Sequence, residues 1–587
     1  PGITGQMYRQ FALVIAATAL ISAVNALTLK PTQCALWLRA RDPNRKKDKL
    51  NWFFRGFNAV YEPLERWYTG VIRFMVARSG RMALIALVLI ALAGWGLTKV
   101  PTGFIPTEDQ GYAMVICQLP DGASLERTER TIDALTRVCR ESPAIERTIV
   151  IGGVSPLDNN ASLSNAGILY LMFKDWKERG KKEDLLSIYR DLSARLARFE
   201  DAKTMVLVPP PIQGLGLSGG FQMQVELTDG SADYERLQRA ADSIVGQAGR
   251  DPAIRMALTP LRASVPQVTI HVEKTRVGTF GLNAGDVYAT VQTYLGSSFV
   301  NQFMRFGHQY MVYAQADAAY RRQTDSIDGY YVRASSGQMI PLGTVARLER
   351  ALGPNVITLY NLYPSATING GAADGFSSGQ AMEAMDRIAR KTLGPGLTYE
   401  WTAMSYQEKL VGGATYFIFA LALLLVYFVL AGQYESWVTP ATVLLGVPLA
   451  LLGTVGALLG LGVANNLYVQ IGLVLLIALS AKNAILIVEM ALEGRAAGKS
   501  LEEATVHASE VRFRPIVMTS FTFILGVLPL LLASGAGASA RKSLGLAVAS
   551  GMLASTCLAV LFVPSFFVVI RGWAERRAAA PRADQKE

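Results

Sequence analysis

The 587-residue sequence has little of what enzymes and metalloproteins use in their active sites. Its three histidines lie far apart, at His271, His308 and His507, and no nucleophile motif accompanies them. Its four cysteines show no metal-ligand spacing, and they are Cys34, Cys117, Cys139 and Cys557. Enzymatic catalysis therefore has little support, and neither a zinc site nor a disulfide framework is indicated.

Charged residues are also scarce, at 18% of the chain, whereas 51% of the residues are hydrophobic. With a mean hydropathy of +0.26, the chain is too apolar for an ordinary soluble protein and too polar to lie wholly in a membrane. The net charge of +11 is concentrated in two clusters, Arg39, Arg41, Arg45, Lys46, Lys47 and Lys49, and Arg571, Arg576, Arg577 and Arg582. Because both clusters flank apolar segments, they indicate cytoplasmic anchors rather than nucleic-acid binding.

Seven apolar segments are each long enough to cross a bilayer as a helix. They are about 11–29, 82–100, 413–431, 438–460, 468–492, 515–534 and 544–570. If the segments alternate in direction, both basic clusters and the loop with Arg495 and Lys499 share one side, which the positive-inside rule assigns to the cytoplasm. The long insert at about 101–407 then lies on the opposite, periplasmic side of a cell with two membranes.

The stretch between the first two segments, residues 50–78, mixes aromatic residues with arginines and lacks an unbroken apolar core. This composition predicts an amphipathic helix in the membrane interface, with its aromatic rings at the level of the headgroups. A plain soluble linker helix is the alternative.

The insert alternates strand and helix patterns. YAMVICQL, SLERTERTIDALTRVCRES, RTIVIGG, GILYLMFKDW, LLSIYRDLSARLARF and TMVLVPP follow one another in the order β-α-β-β-α-β, which predicts a split βαβ unit. A second unit is predicted from FQMQVELTD, ADYERLQRAADSIVGQA and PQVTIHVE, continuing after an inserted domain at about 273–357. The fold class expected is a helical membrane bundle of seven transmembrane helices plus an α+β periplasmic region.

Lys482 is the residue that most needs an explanation, because it lies near the middle of the segment 468–492. A charged side chain there costs roughly 2.5 to 3.5 kcal/mol by insertion scales. No acidic residue occurs within the core of any of the seven segments, so the expected carboxylate partner is missing. Lys482 is therefore a candidate for a proton relay; a lysine that snorkels or bonds to a carbonyl is the alternative. The sequence begins with Pro1 rather than methionine, and we expect a fragment of a longer protein.

Several motifs, in order and at matching separations, resemble the resistance-nodulation-division (RND) transporters of the AcrB-type multidrug branch. They are YRQF (8–11), FIPTEDQG (104–111), SYQEK (405–409), YESW (434–437), LSAKNAILIVEM (479–490) and RFRPIVMTSFTFILGVLPL (512–530). The resemblance covers nearly the whole chain and implies the C-terminal half of such a transporter. It further implies a proton/drug antiporter of the Gram-negative inner membrane with a large periplasmic domain.

The resemblance also implies a domain plan. Its parts are a transmembrane helix (1–33, the sixth of the full transporter), a cytoplasmic or interfacial amphipathic helix (34–81), a transmembrane helix (82–100), a first porter subdomain (101–212), a second porter subdomain (213–272 and 358–407), a docking subdomain (273–357), five transmembrane helices (408–571) and a basic cytoplasmic tail (572–587). The implied partners are amphiphilic drugs, two further copies in a homotrimer, a periplasmic adaptor, an outer-membrane channel and membrane lipids. No cofactor other than the proton gradient is implied.

By resemblance, Lys482 corresponds to the lysine that pairs with two aspartates on a helix that would lie before Pro1. Asn483 is its neighbour in the motif, and Arg512 and Thr519 match two polar positions of the next helix. Protonation of the aspartates would weaken their attraction for Lys482 and move helices. An anchoring role for Arg512 and a hydrogen bond of Thr519 within its own helix are the alternatives.

The drug-binding residues match less closely. Ile149, Ile151 and Tyr170 fall where relatives place a deep pocket, and Phe221, Met223 and Val225 fall where relatives place an access pocket. Because strand residues alternate between faces, the last three share one face, for which an ordinary packed core is the alternative. The loop 153–165 corresponds to a glycine-containing switch loop, but it lacks phenylalanine and is about three residues longer.

Two other functions are possible. A metal-ion exporter of the same superfamily would carry a methionine relay, whereas Met114, Met172, Met205 and Met223 form no obvious ladder. A lipid- or secretion-linked scaffold that does not pump would have no need of Lys482.

Overall fold

The computed structural model describes residues 2–38, 52–180, 182–216, 219–321 and 323–579. The first part is helical and comprises α1 (Gly2–Leu27), α2 (Leu29–Trp37), α3 (Trp52–Ala77) and α4 (Ser79–Lys99). The basic cluster predicted at 39–49, and the tail from 580 onward with Arg582, lie outside the described residues.

The first α/β unit follows α4. It consists of β1 (Tyr112–Gln118), α5 (Leu125–Arg140), β2 (Ile145–Ser155), β3 (Ala161–Phe173), α6 (Leu185–Leu196) and β4 (Lys203–Leu207). The strands form an antiparallel sheet in the order β2-β3-β1-β4. Ser124 and Asp184 begin the two helices by accepting hydrogen bonds from backbone N–H groups of the first turn.

Alternation along β1 divides the side chains of this sheet between two faces. Val115 and Cys117 are fully buried beneath α5 and α6, together with Leu135 and Leu192. The opposite face carries no helix, and we refer to it as the helix-free face. Its residues are Tyr112, Met114, Ile116, Ile168, Tyr170, Met205 and Leu207.

The second α/β unit begins with β5 (Phe221–Leu227), α7 (Tyr234–Ala248) and β6 (Ile254–Leu258). The sequence predicted PQVTIHVE as the next strand of this sheet, and that prediction is wrong. The segment is a strand, β7 (Val265–Val272), but most of its residues are exposed and it pairs only with a later strand, β12 (Ala346–Gly353), in a separate ribbon. The short strand β6 takes the predicted place, beside the later strand β14 (Tyr363–Ala372), and a bulge at Gly371/Ala372 interrupts that pairing.

An inserted unit lies between the two strands of this ribbon. It contains α8 (Lys274–Thr279), α9 (Ala284–Val291), β8 (Ser298–Arg305), β9 (His308–Ala314), β10 (Tyr331–Arg333) and β11 (Met339–Pro341). Its core is small and includes Val287, Leu342 and Val345. The β8–β9 hairpin stands apart from that core and exposes most of its apolar side chains.

The second unit resumes after the insert with β13 (Thr358–Tyr360), β14 (Tyr363–Ala372), α10 (Ser378–Thr392) and β15 (Leu397–Trp401). Its sheet has the order β13-β14-β5-β15, with β6 also paired to β14. The helices α7 and α10 cover one face of this sheet, and Ser377 begins α10 with a capping box to Gln380.

The remaining helices form the main part of the bundle. They are α11 (Ala403–Tyr434), α12 (Thr439–Leu444), α13 (Val447–Leu461), α14 (Leu467–Ala496), α15 (Leu501–Leu531), α16 (Ala538–Ala554) and α17 (Val560–Ala579). Seven helical segments of the described chain are long and apolar enough to cross a membrane. Hydrogen bonds join neighbouring helical segments. The hydroxyl of Ser555 donates to that of Ser480 at 3.0 Å, and the hydroxyl of Thr454 donates to the carbonyl of Ala547 at 2.9 Å. Small residues allow close packing, as at Gly453 of α13, which faces α16.

The helix α3 packs along this bundle on one side and is exposed on the other. Tyr68 stacks on Phe513 with ring centroids 4.1 Å apart and donates a hydrogen bond to the carbonyl of Val560 at 3.2 Å. The outer face of α3 exposes Trp67 and Phe74, among other apolar side chains. This two-sided character is what an interfacial helix requires.

Among the hydrogen bonds that join the start of the first α/β unit to the bundle, those of Glu108 involve a side chain. The buried carboxylate of Glu108 accepts hydrogen bonds from the backbone N–H groups of Ser539 and Ala540, at 3.1 and 2.6 Å. These N–H groups lie in the first turn of α16, where they have no partner within the helix. Glu108 therefore acts as a cap supplied from a distant part of the chain.

Candidate functional site

Lys482 is the central residue of α14, fifteen residues after Leu467 and fourteen before Ala496. Its side chain is exposed on the surface of the bundle, whereas the neighbouring Ala481 and Asn483 are buried. Among the residues that the structure describes, Lys482 forms no ion pair, and the side-chain nitrogen of Asn483 has no hydrogen-bond partner. The central position of Lys482 on α14 is the one counted from the sequence, and its proton-relay role stays a prediction.

The helices α14 and α15 form an antiparallel hairpin, which fixes the depth of the other predicted relay residues. Gly494 packs against Ala504, so counting back along both helices places Lys482 level with Ile516. Thr519 lies within one turn of that level. It is exposed, and its hydroxyl donates to the carbonyl of Ile516 at 3.0 Å, which is the bond within its own helix that the alternative interpretation expects.

Arg512 lies slightly more than one turn nearer the start of α15 than Ile516, toward the predicted cytoplasmic end. It is partly buried, and its Nε has no hydrogen-bond partner in the described part of the chain. The nearby Arg514 is exposed and stacks over the rings of Phe57 and Tyr61 at 5.7 and 5.3 Å. The two arginines therefore differ in environment, and only Arg514 has the contacts of an anchor at the membrane surface.

The deep-pocket residues predicted from the sequence share one face of the first sheet. In the strand register Ile149 lies opposite Tyr170, and Ile151 lies opposite Ile168, so all of them are on the helix-free face. Ile149 is 51% exposed and Ile151 is 41% exposed, whereas Tyr170 is half-buried beside Tyr112. This arrangement leaves an apolar surface that can accept a hydrophobic ligand.

The sequence analysis missed several residues of the same face. Met114, Ile116, Met205 and Leu207 complete it, and the alternation in YAMVICQL would have indicated the first two. A cavity of about 1100 Å³ between the two α/β units begins beside Met205 and Leu207. It extends to α15 and α16, so one cavity connects the units to the bundle.

The predicted access-pocket residues divide between the edge of the cavity and the core of the second unit. Phe221 borders the cavity and contacts the ring of Trp401 edge-on, with centroids 6.2 Å apart. Met223 and Val225 share its face of β5, as the alternation predicts, but this face is the one covered by α7 and α10. Both side chains are fully buried, so they belong to the core of the second unit rather than to a pocket wall.

Glu408, which the sequence analysis also missed, lies where the second unit meets α11. Its largely buried carboxylate accepts a hydrogen bond from the hydroxyl of Ser378, at the start of α10, at 2.8 Å. The membrane-crossing part of α11 begins only at Phe417. Burial raises the pKa of Glu408 to about 7, against the smaller opposing effects of Ser378 and Lys409.

This pKa predicts that stability depends on pH. The folded state binds the proton more tightly than the unfolded state, whose carboxyl has the ordinary pKa of 4.5. The free energy of unfolding should therefore fall as pH rises from 4.5 to about 7, by about 3 kcal/mol at most. Glu408→Gln should remove this dependence and be the more stable protein at pH 8. Thermal unfolding of the full transporter in detergent between pH 5 and 8 measures the effect.

Glu383→Gln is the matched control, because Glu383 is an exposed carboxylate that lines, together with Glu408, a second cavity of about 630 Å³. It should leave the pH dependence as it is. If Glu408→Gln and the parent protein lose stability in parallel between pH 5 and 8, Glu408 does not titrate in that range.

Comparisons with known proteins agree with the motifs. Residues 1–571 match the profile of the AcrB/AcrD/AcrF family. The chain is 35% identical over 575 residues to the multidrug export protein AcrF of Escherichia coli, covering 97% of this chain and 55% of AcrF. It is 36% identical over 577 residues to the multidrug resistance protein MdtF of the same species, with 97% and 55% covered. It is 34% identical over 575 residues to the multidrug/solvent efflux pump membrane transporter MepB of Pseudomonas putida, with 97% and 54% covered. The chain thus spans about half the length of these curated relatives.

Proposed function

The chain belongs to the AcrB/AcrD/AcrF family of RND multidrug efflux transporters, and from that premise we propose that it is the C-terminal half of a proton/drug antiporter. The observation that carries the proposal is Lys482, an exposed cation at the centre of a membrane-crossing helix without a partner among the described residues. Such a residue is costly, and a proton pathway gives a reason for its presence.

In the proposed mechanism, the exposed face of α14 packs against helices of the other half, which supply the carboxylates for Lys482. Protonation of a carboxylate removes its attraction for the ammonium group, and deprotonation restores it. Asn483, Arg512 and Thr519 lie near this pair and hold the polar side chains in place. The electrical part of the proton gradient supplies about 2.3 kcal/mol per charge per 100 mV.

The proposed substrates are amphiphilic compounds that bind between the two α/β units, which we equate with porter subdomains. The helix-free face, with the exposed Ile149 and Ile151, supports an apolar ligand. The cavity of about 1100 Å³ is large enough for a drug-sized molecule and has polar groups such as Arg255 and Asn369 in its wall. The carboxylate cap of Glu108 on α16 supports coupling between the bundle and these units.

We further propose that the transporter is a homotrimer of the Gram-negative inner membrane that works with a periplasmic adaptor and an outer-membrane channel. The inserted unit would be the docking subdomain. Its β8–β9 hairpin supports this role, because it exposes Phe299, Phe303, Met304 and Phe306 to solvent in the single chain. Apolar side chains concentrated on one hairpin are typical of an interface.

The experiment that tests the function uses inverted membrane vesicles that contain the full transporter. A substrate amphiphile added to vesicles with an acidic interior should release protons, recorded with a pH-sensitive dye, and an uncoupler should stop the transport. A metal-ion exporter would instead respond to metal ions and not to amphiphiles. Among the described residues, no group of three or more His, Cys, Asp or Glu side chains could hold a metal ion.

A further inference from the structure

The segment FIPTEDQG contains two adjacent carboxylates that bind different parts of the molecule. Glu108 caps the first turn of α16, as described above. Asp109 instead pairs with Arg179, which lies in the loop between β3 and α6 of the first α/β unit. The other carboxylate oxygen of Asp109 accepts a hydrogen bond from the N–H of Gly111 at 3.0 Å. Two neighbouring residues therefore connect α16 to the loop that follows β3.

The guanidinium of Arg179 is buried, and its position in the first unit is fixed. The side chain is only 4% exposed, and its Nε donates to the carbonyl of Lys174 at 2.7 Å. The guanidinium carbon lies 5.2 and 5.3 Å from the ring centroids of Phe173 and Trp176. Phe173 ends β3 and belongs to the core beneath α5 and α6. Arg179 is thus attached to β3, the strand that carries Tyr170 on the helix-free face.

The ring of Trp176 makes a second connection to the segment before α16. It faces Gly111 and Gly535, which both have left-handed backbones, with φ of 82° and 85°. A Cβ at Gly111 would lie 3.5 Å from the ring, and a Cβ at Gly535 would lie 3.7 Å from it. Arg541 of α16 holds the same segment by donating to the carbonyl of Ala536 at 2.7 Å. The ring therefore lies against a segment that is tied to α16.

The helix α16 in turn packs closely against α14, which carries Lys482. Glycines on both helices allow this approach. A Cβ at Gly472 of α14 would lie 3.0 Å from the Cβ of Ala547, and a Cβ at Gly551 of α16 would overlap the side chain of Leu476. Because a packed interior has little free space, a shift of α14 can be passed to α16 through this contact.

We propose that Arg179 is a positioning residue that ties the first α/β unit to α16, so that a shift of α16 carries β3 and its part of the helix-free face with it. The inference rests on the proposed function, in which proton binding near Lys482 drives the shift. The contacts run from α14 through α16, Glu108 and Asp109, and Arg179 is the point at which they enter the unit. Arginine suits this point because its planar fork holds a carbonyl and a carboxylate at fixed angles.

The first measurement is the distance between α16 and the first unit in the full transporter. Nitroxide labels at two exposed positions, Asp133→Cys of α5 and Ala536→Cys before α16, report this distance by pulsed electron paramagnetic resonance. Exposed native cysteines, including Cys34 and Cys557, are replaced by serine, whereas Cys117 and Cys139 are buried. Arg179→Gln should broaden the distance distribution by roughly twofold or more, because a local connection between the two parts is lost.

Arg198→Gln is the matched control, because Arg198 is an exposed arginine of the same unit without an ion pair among the described residues. It should keep the width of the parent. Asp109→Asn leaves the stacking of Arg179 in place but removes the charge of its partner, so it should broaden the distribution as well. It also replaces Arg179→Gln if that variant does not reach the membrane. The proposal is overturned if either variant is no broader than Arg198→Gln.

The second measurement is drug-dependent proton release from inverted vesicles at equal transporter abundance. Arg179→Gln should lower the release by roughly tenfold, which lies within the range typical of coupling between sites. Arg179→Lys should keep most of it, since an ammonium group can still reach the single oxygen of Asp109 that Arg179 contacts. Undiminished release by Arg179→Gln would overturn the proposal, because the connection would then carry no movement. If the parent itself releases no protons, the proposed function fails, while the distance still tests the attachment.

Discussion

Lys482→Ala in the full transporter is expected to reduce drug efflux to that of cells without the transporter, at equal abundance in the membrane. The variant removes a charge that costs roughly 2.5 to 3.5 kcal/mol to place at mid-membrane, so its insertion should be no worse than that of the parent. Efflux should fail because the carboxylates supplied by the other half would have no cation whose attraction changes with their protonation. Dye efflux from energised cells, normalised to transporter abundance, measures the effect.

Arg514→Ala is the control for this prediction, because Arg514 is also a cation of the bundle but is exposed and stacks on Phe57 and Tyr61. It should retain most of the efflux. Lys482→Arg keeps the charge but changes its geometry, so it should be impaired as well. Undiminished efflux by Lys482→Ala at matched abundance would contradict the relay role of Lys482. If this variant alone were less abundant in the membrane, the result would indicate a structural role for Lys482 instead.

Gly453→Val is expected to have the largest effect on stability. Gly453 of α13 faces α16 so closely that a Cβ there would lie 2.6 Å from the carbonyl oxygen of Ser550 and closer still to Ala554. The carbonyl is part of the backbone and cannot move aside without shifting the helix. Overpacking of this kind costs roughly 1 to 3 kcal/mol and occasionally more. The thermal unfolding temperature and the folded yield of the full transporter should both fall.

Gly456→Val provides the matched control on the same helix. Gly456 is one turn further along α13, is exposed, and has no atom within 4 Å of the place where its Cβ would lie. The β-branched side chain is the same, so any shared effect is due to helix propensity. Equal destabilisation by the two variants would contradict the close contact between α13 and α16.

The sequence predicted much of this arrangement because the signals are local. Seven apolar segments are visible by length, and the central position of Lys482 follows from counting along one of them. The burial of Asn483 next to an exposed Lys482 was not predicted, because it depends on which side of α14 the other helices pack. Single-helix periodicity gives little help there, since α14 is apolar nearly all round.

The strand residues show two features that the sequence could not predict, namely which face of a sheet is covered by helices and which strands pair. Alternation correctly placed Phe221, Met223 and Val225 on one face, but it cannot tell which face the helices cover. Likewise β7 has the composition of a sheet strand, and only its pairing with β12 reveals that it belongs to a ribbon. The contact of Arg262 with Asp121 joins residues 141 positions apart and has no sequence signal at all.

The cap that Glu108 provides for α16 has a consequence for the order of synthesis. Its partners, Ser539 and Ala540, follow it by 431 and 432 positions. At about 5 to 20 residues per second, the ribosome makes the first turn of α16 roughly 20 to 90 s after Glu108. During that interval both α/β units can fold while their attachment to the last two helices does not yet exist. Closure of this contact is therefore among the final steps of assembly. A ribosome stalled before α16 would leave the first unit without this cap, attached to the bundle only through earlier contacts such as the hydrogen bond from the Leu467 N–H to the carbonyl of Phe104.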